Sequence, residues 1–136
     1  MINEQLVETT VGIDFSGDYA QISIFDEEAN PISMSLIKNE QKFLIPSVIF
    51  IEETDGIWDM GDEALARNQA YEGVLIRNIP KTAKEKIRFE VYDDVFDNIR
   101  LVSFYMKKLL EFVKINADLK SIDNIVVSIA GSEREE

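Results

Sequence analysis

The stretch that decides the fold is VGIDFSGDYAQISIF, residues 11–25. In an extended chain Val11, Ile13 and Phe15 share one face, with Gly12 and Asp14 on the other. Ser16-Gly17-Asp18 has turn chemistry, and beyond it Ala20, Ile22 and Ile24 alternate with Gln21 and Ser23. The pattern predicts two antiparallel strands joined by a tight turn. Working outward, Glu27-Glu28-Ala29-Asn30-Pro31 reads as a second turn. Ile32, Met34 and Leu36, alternating with Ser33 and Ser35, read as a third strand. A three-stranded meander is therefore expected at the start.

Beyond the polar KNEQK, the segment FLIPSVIFI (43–51) predicts one short apolar strand, with Pro46 suited to a strand start or an edge. Thr54-Asp55-Gly56 predicts a hairpin returning into Ile57–Met60, its tip carrying the exposed acids Glu52, Glu53 and Asp55. Trp58 is expected to pack with Ile57 and Met60, and Gly61 to allow a close turn into the next helix. Asp62 is expected to cap a helix over about 63–71, Asn68 and Gln69 to cover its surface, and Gly73 to end it.

Ile99, Val102, Met106, Leu109 and Val113, spaced 3, 4, 3 and 4 apart, predict a long helix with that face inward. Asp93, Asp94 and Asp97 precede it, where the helix dipole favours negative charge, so they read as capping acids rather than metal ligands. Lys107, Lys108 and Lys114 lie toward its C-terminal end. Asn124–Ala130 is apolar on both faces, as a central strand covered by helices on both sides would be. Only six residues follow it, so its neighbours are expected to lie in a longer protein of which this chain is a portion.

Composition limits the chemistry. The 136 residues are 46% hydrophobic, the balance of a folded domain. There is no cysteine and no histidine, which removes disulfides, thiolate metal sites and imidazole catalysis. A net charge of −12 disfavours nucleic acid and anionic membrane as partners, while leaving room for a nucleotide held locally by amides and magnesium. MINEQLVETT lacks a basic start and an apolar run, and no segment approaches the roughly 18 apolar residues of a membrane span. A cytoplasmic location is expected.

Four segments, in order, carry a resemblance. VGIDFSGDYAQISIF resembles the first phosphate motif, GIDLGTTNS, of the actin and heat-shock chaperone ATPase superfamily. FLIPSVIF resembles that family's TPSVVAF, MGDEALARNQ its G-D-x-A-x-x-Q helix, and NIVVSIAGSERE the strand AVITVPAYFNDSQR. The N-terminal part of the seventy-kilodalton heat-shock chaperone ATPase domain is the nearest likeness. Bacterial actin-like proteins come second, because VLIRNIPK resembles their A-I-R-P-x-K segment. The resemblance implies an α/β fold: a ribonuclease H-like mixed sheet, the meander plus a parallel strand, with helices and a small inserted α+β subdomain. It places the core at about 9–38 and 95–136 and the insertion at about 39–94, together the first lobe of an actin-like fold.

Site residues follow residue by residue. Asp14 matches the aspartate that organises magnesium-bound water. Ser16 stands where the family has glycine, Gly17 and Asp18 where it has two threonines, and Tyr19 where it has asparagine. The turn keeps backbone freedom at Gly17 and loses both threonine hydroxyls. Asp18 brings a charge that, beside a triphosphate, costs on the order of several kcal/mol in a partly desolvated site. Lys81 follows Asp62 at about the interval of the chaperone lysine that reaches the transferring phosphate, with Lys84, Lys86 and Arg88 nearby. Read without the resemblance, the turn is an ordinary hairpin and the basic residues a solvated stretch. The expected ligands are ATP and magnesium, with a protein partner or client. No complete active site is expected from this portion alone. A non-catalytic scaffold of the superfamily and an actin-like filament subunit are the alternatives.

Overall fold

The computed structural model describes residues 9–25, 31–34, 44–116 and 122–129. Strands β1 (Thr10–Ser16) and β2 (Tyr19–Phe25) form the expected antiparallel hairpin, in register from Val11↔Ile24 to Ser16↔Tyr19. Gly17 and Asp18 are its two turn residues, and the positive φ falls on Gly17, at 66°. A glycine first in a two-residue hairpin loop, alone at positive φ, is the pattern of a type II′ turn, whose twist matches the strands it joins. Strand β3 (Pro31–Met34) adds antiparallel to β2. The expected turn over 27–30, the continuation at Ser35 and Leu36, the KNEQK segment, Ala130 and the tail after it lie outside the described residues.

FLIPSVIFI proves to be two strands rather than one. β4 (Ile45–Pro46) pairs with β2 in the first sheet, Tyr19 opposite Pro46, and β5 (Ile49–Glu52) enters a second sheet. The bend falls at Ser47-Val48, and an apolar run carries no signal for it: Ile45 and Ile49 are both fully buried, one against each sheet. β6 (Trp58–Met60) pairs with β5 through the expected Asp-Gly turn, where Asp55 Oδ1 accepts from Ile57 N at 3.0 Å.

Helix α1 (Gly61–Ala70) begins at Gly61, whose positive φ of 67° makes the close turn expected there. Asp62 lies inside its first turn rather than at the cap, and the N-cap position is Met60. Gly73 does not end the helix either. It opens β7 (Gly73–Ile76), which pairs with β5, and a Cβ there would sit 2.3 Å from the Ile51 carbonyl oxygen. That glycine is needed for close backbone approach between strands.

The short helix α2 (Ile79–Ala83) is followed by a hairpin not expected from sequence, β8 (Arg88–Val91) with β9 (Asp94–Asp97). Its turn residues, Tyr92 and Asp93, both have positive φ, the I′ geometry that fits a two-residue hairpin. Asp93 and Asp94 therefore belong to the hairpin. Asp97 alone caps the long helix α3 (Asn98–Asn116), its Oδ1 accepting from Arg100 N at 3.1 Å.

Helix α3 buries Leu101, Tyr105, Leu109 and Val113, a pure i+4 row, with Val102 and Met106 on its flank. Ile99, expected on the inner face, is 66% exposed. Strand β10 (Asn124–Ile129) runs parallel to β1, from Thr10↔Asn124 to Phe15↔Ile129. The first sheet thus has the order β10-β1-β2-β3, with β4 beside β2. It is mixed, as expected. β10 is not the covered strand its apolarity predicts: all six residues are exposed, and β1 is its one strand partner among the described residues. The described part of the protein is thus mixed α/β, with three helices, one mixed sheet and two antiparallel ones.

The larger of two buried clusters joins these parts, the smaller being Val48, Phe50 and Ala64. Val11, Ile13 and Phe15 of β1 and Ile22 of β2 meet Ile45, Ile49 and Ile51, with Ile79 of α2 and the buried row of α3. No helix among the described residues is long and apolar enough to cross a membrane.

Candidate functional site

β1 alternates inward Val11, Ile13 and Phe15 with outward Gly12, Asp14 and Ser16. Cross-strand neighbours continue the outward face with Gln21 and Ser23 on β2 and Ser128 on β10. Asp14 lies between Gln21 and Ser128, exposed, near the ends of two parallel strands. Ser16 Oγ donates to Asp14 Oδ1 at 2.8 Å. Nothing lies within 4 Å of where a Gly17 Cβ would stand, so the turn backbone is open to approach. Asp18 and Tyr19 are exposed as well.

The turn is anchored from behind. Ser47 N donates to the Asp18 carbonyl at 2.9 Å, and Ser47 O accepts from Ile79 N at 3.0 Å. Ser47 is fully buried, and the residue at the bend between the sheets therefore links the turn to the first turn of α2. Lys81 sits on that helix, exposed, with its backbone N–H held by Asn78. Asn78 adopts a left-handed conformation, φ 51°, which lets its side chain reach back as the cap. The fold brings Asp14, Ser16, Gly17, Asp18 and Tyr19 together by sequence and hangs Lys81 on the same backbone connection. Among the described residues no hydrogen bond or ion pair joins the Lys81 side chain to the turn.

The acid expected at an exposed tip is instead a clamp. Glu52 is buried and bonded by the Arg67 guanidinium, which also pairs with Asp59 at 2.7 Å and lies 4.7 Å from the Tyr71 ring centroid. Burial raises the Asp59 carboxyl above its ordinary value, against the pull of Arg67. Burial also opposes the Arg67 charge, but the two carboxylates outweigh it and hold the guanidinium more firmly protonated. These three residues tie α1 to β5 and β6, a structural role. Their pairing spans elements distant in sequence, so local pattern could not reveal it.

A second feature escaped the sequence reading. Arg88, Val95, Phe96, Asp97 and Arg100 line an open cleft of about 510 Å³ between the β8–β9 hairpin and the start of α3. Trp58 is beneath it, 4.9 Å from the Phe96 ring and 5.4 Å from Phe104, so it packs on aromatic side chains of β9 and α3 beyond its own hairpin. Among the described residues no group of carboxylates is arranged to hold a metal ion unaided.

Comparison with curated proteins finds no match. A family described as "Family of unknown function (DUF5716) C-terminal" matches residues 30–135. The Asp14–Tyr19 segment precedes the matched region, while Lys81, the clamp and the cleft all lie within it. Because the match takes in most of the sequence, the chain belongs to the DUF5716 family, through that family's C-terminal region.

Proposed function

We propose that the first sheet is the ribonuclease H-like core of an actin- or chaperone-type ATPase lobe, and that the Ser16–Asp18 turn faces the phosphates of a magnesium-bound nucleotide. The observation that supports it is the pairing of β10 parallel to β1, which brings the ends of both strands to the exposed Asp14. Ligands of open α/β sheets gather at the carboxyl ends of parallel strands. ATP as ligand goes with a cytoplasmic setting.

The residues fit a magnesium complex better than a free anion. Gly17 leaves its backbone approachable, and Ser16 offers a hydroxyl. Asp14 would orient a metal-bound water. Magnesium would supply the positive charge that offsets Asp18. In this reading Lys81 lies on the helix beside the turn and meets the outer phosphate only as lobes close. The chain alone binds and does not turn over, and its output is a nucleotide-dependent contact with a protein partner or client.

A second reading, a non-catalytic scaffold, is favoured by Asp18 and by the Asp14–Ser16 bond, which engages the Ser16 hydroxyl and one Asp14 oxygen without a ligand. Titration with ATP in the presence and absence of magnesium separates the two. Under the first reading magnesium-ATP raises the melting temperature, chelation removes the effect, and Asp14→Asn weakens binding about tenfold, the loss of one charged contact. Asp18→Ser should tighten it by relieving repulsion. No shift at millimolar magnesium-ATP leaves the scaffold reading.

A further inference from the structure

The cleft at the β8–β9 hairpin has a composition unusual for so acidic a chain. Arg88 and Asp97 face each other across the two strands, with Val95 beside them on the same outward face. The formal charges do not simply cancel. Asp97 is engaged at the N-terminus of α3, accepting from Arg100 N. Arg100 is held by Asp94 at 3.3 Å, and its guanidinium lies 4.8 Å from the Trp58 ring centroid and 5.6 Å from that of Phe96. Arg88 has no ion pair among the described residues. One uncommitted guanidinium therefore stands beside an apolar surface, in a cleft of about 510 Å³, within the size range of small-ligand sites.

We infer that this cleft binds an organic carboxylate attached to an apolar body, such as the C-terminal carboxylate of a peptide ending in an aromatic or aliphatic residue. Arg88 offers the planar fork that pairs with a carboxylate through two parallel hydrogen bonds. Half-exposed Val95 supplies the surface for the apolar part; Phe96 lines the cleft but is itself buried. A single negative charge suits the site better than a phosphate dianion, because Asp94 and Asp97 stand close by and repel additional charge. The site is independent of the nucleotide reading and lies on other elements.

Trp58, the only tryptophan, touches two of the lining residues and serves as a built-in reporter. The full chain is titrated with N-acetyl-phenylalanine, its uncharged amide, a tetrapeptide ending in free phenylalanine, and inorganic phosphate, following Trp58 emission. A saturable change is expected with both free carboxylates, with the amide at least about tenfold weaker, as loss of a charged hydrogen bond implies. Arg88→Gln should weaken the carboxylates by a similar factor while leaving circular dichroism unchanged, since Arg88 is exposed. Tighter binding of the tetrapeptide than of the amino acid assigns a peptide terminus; the reverse order assigns a small free acid. Equal affinity for acid and amide, saturation by phosphate alone, or indifference to Arg88→Gln would overturn the inference.

Discussion

Tyr105 shows how one residue can settle a junction that sequence pattern leaves open. It is fully buried on α3, with its ring 5.3 Å from that of Phe15 and its hydroxyl donating to the Pro46 carbonyl at 3.0 Å. The chain leaves the first sheet for the second at that point, and the hydroxyl ties α3 to the backbone there. Burial pushes the phenol well above its usual range. The sign follows: the folded phenol keeps its proton above the ordinary value of 10.0 while the unfolded one loses it. Stability from this group is complete below that pH and falls above it, by about 1.4 kcal/mol per pH unit. Tyr105→Phe should cost about 1 kcal/mol at neutral pH by unpairing the carbonyl. It should also flatten the alkaline limb of a urea-melt series, the other tyrosines and the lysines cancelling between the two proteins. Identical alkaline slopes would refute this account of the phenol. A tyrosine inside an apolar helix row is visible in sequence; the carbonyls it serves, 59 and 60 residues away, are not.

At the scale of elements, the hairpin was legible because alternation and turn chemistry are local, whereas the parallel strand followed only from the resemblance, since β1 and β10 lie at opposite ends of the sequence. The inner face of α3 was legible only in part. Spacing alone is satisfied both by the row beginning at Ile99 and by the row Leu101, Tyr105, Leu109 and Val113, and the two share their last members. The β8–β9 hairpin delivers the chain to the helix with Asp97 as cap, and the row that is buried is the one that packs into the common core beside α2. That hairpin was missed because Tyr92-Asp93 lacks the glycine that usually marks an I′ turn. The same limit hid the cleft, which needs hairpin and helix together. Leu109→Ala should therefore lose about 2–5 kcal/mol, the cost of a large buried truncation. Ile99→Ala should stay within about 0.5 kcal/mol of the parent. Comparable losses at the two positions, read from urea midpoints, would restore the row that the spacing favoured.

Across the whole molecule, the segment from Ile45 to Ile51 carries the most consequence. It contributes β4 to one sheet and β5 to the other, and Ile45, Ile49 and Ile51 all sit in the core that also holds β1, β2, α2 and the buried row of α3. The resemblance divides the chain into a core and an inserted part, and sheet membership follows a similar division. The packing does not: a residue of the β5–β6–β7 sheet such as Met60 belongs to the same cluster as Phe15. Two elements that share buried neighbours cannot open separately without exposing apolar surface on both sides. Unfolding should then be one cooperative transition. Trp58 emission reports on β6 and the aromatic side chains of β9 and α3, whereas far-ultraviolet circular dichroism averages every strand and helix. The two urea curves should coincide in midpoint and slope. A Trp58 transition that comes clearly first would mean that the second sheet melts on its own, and that Ile45–Ile51 is a hinge between units rather than a shared wall.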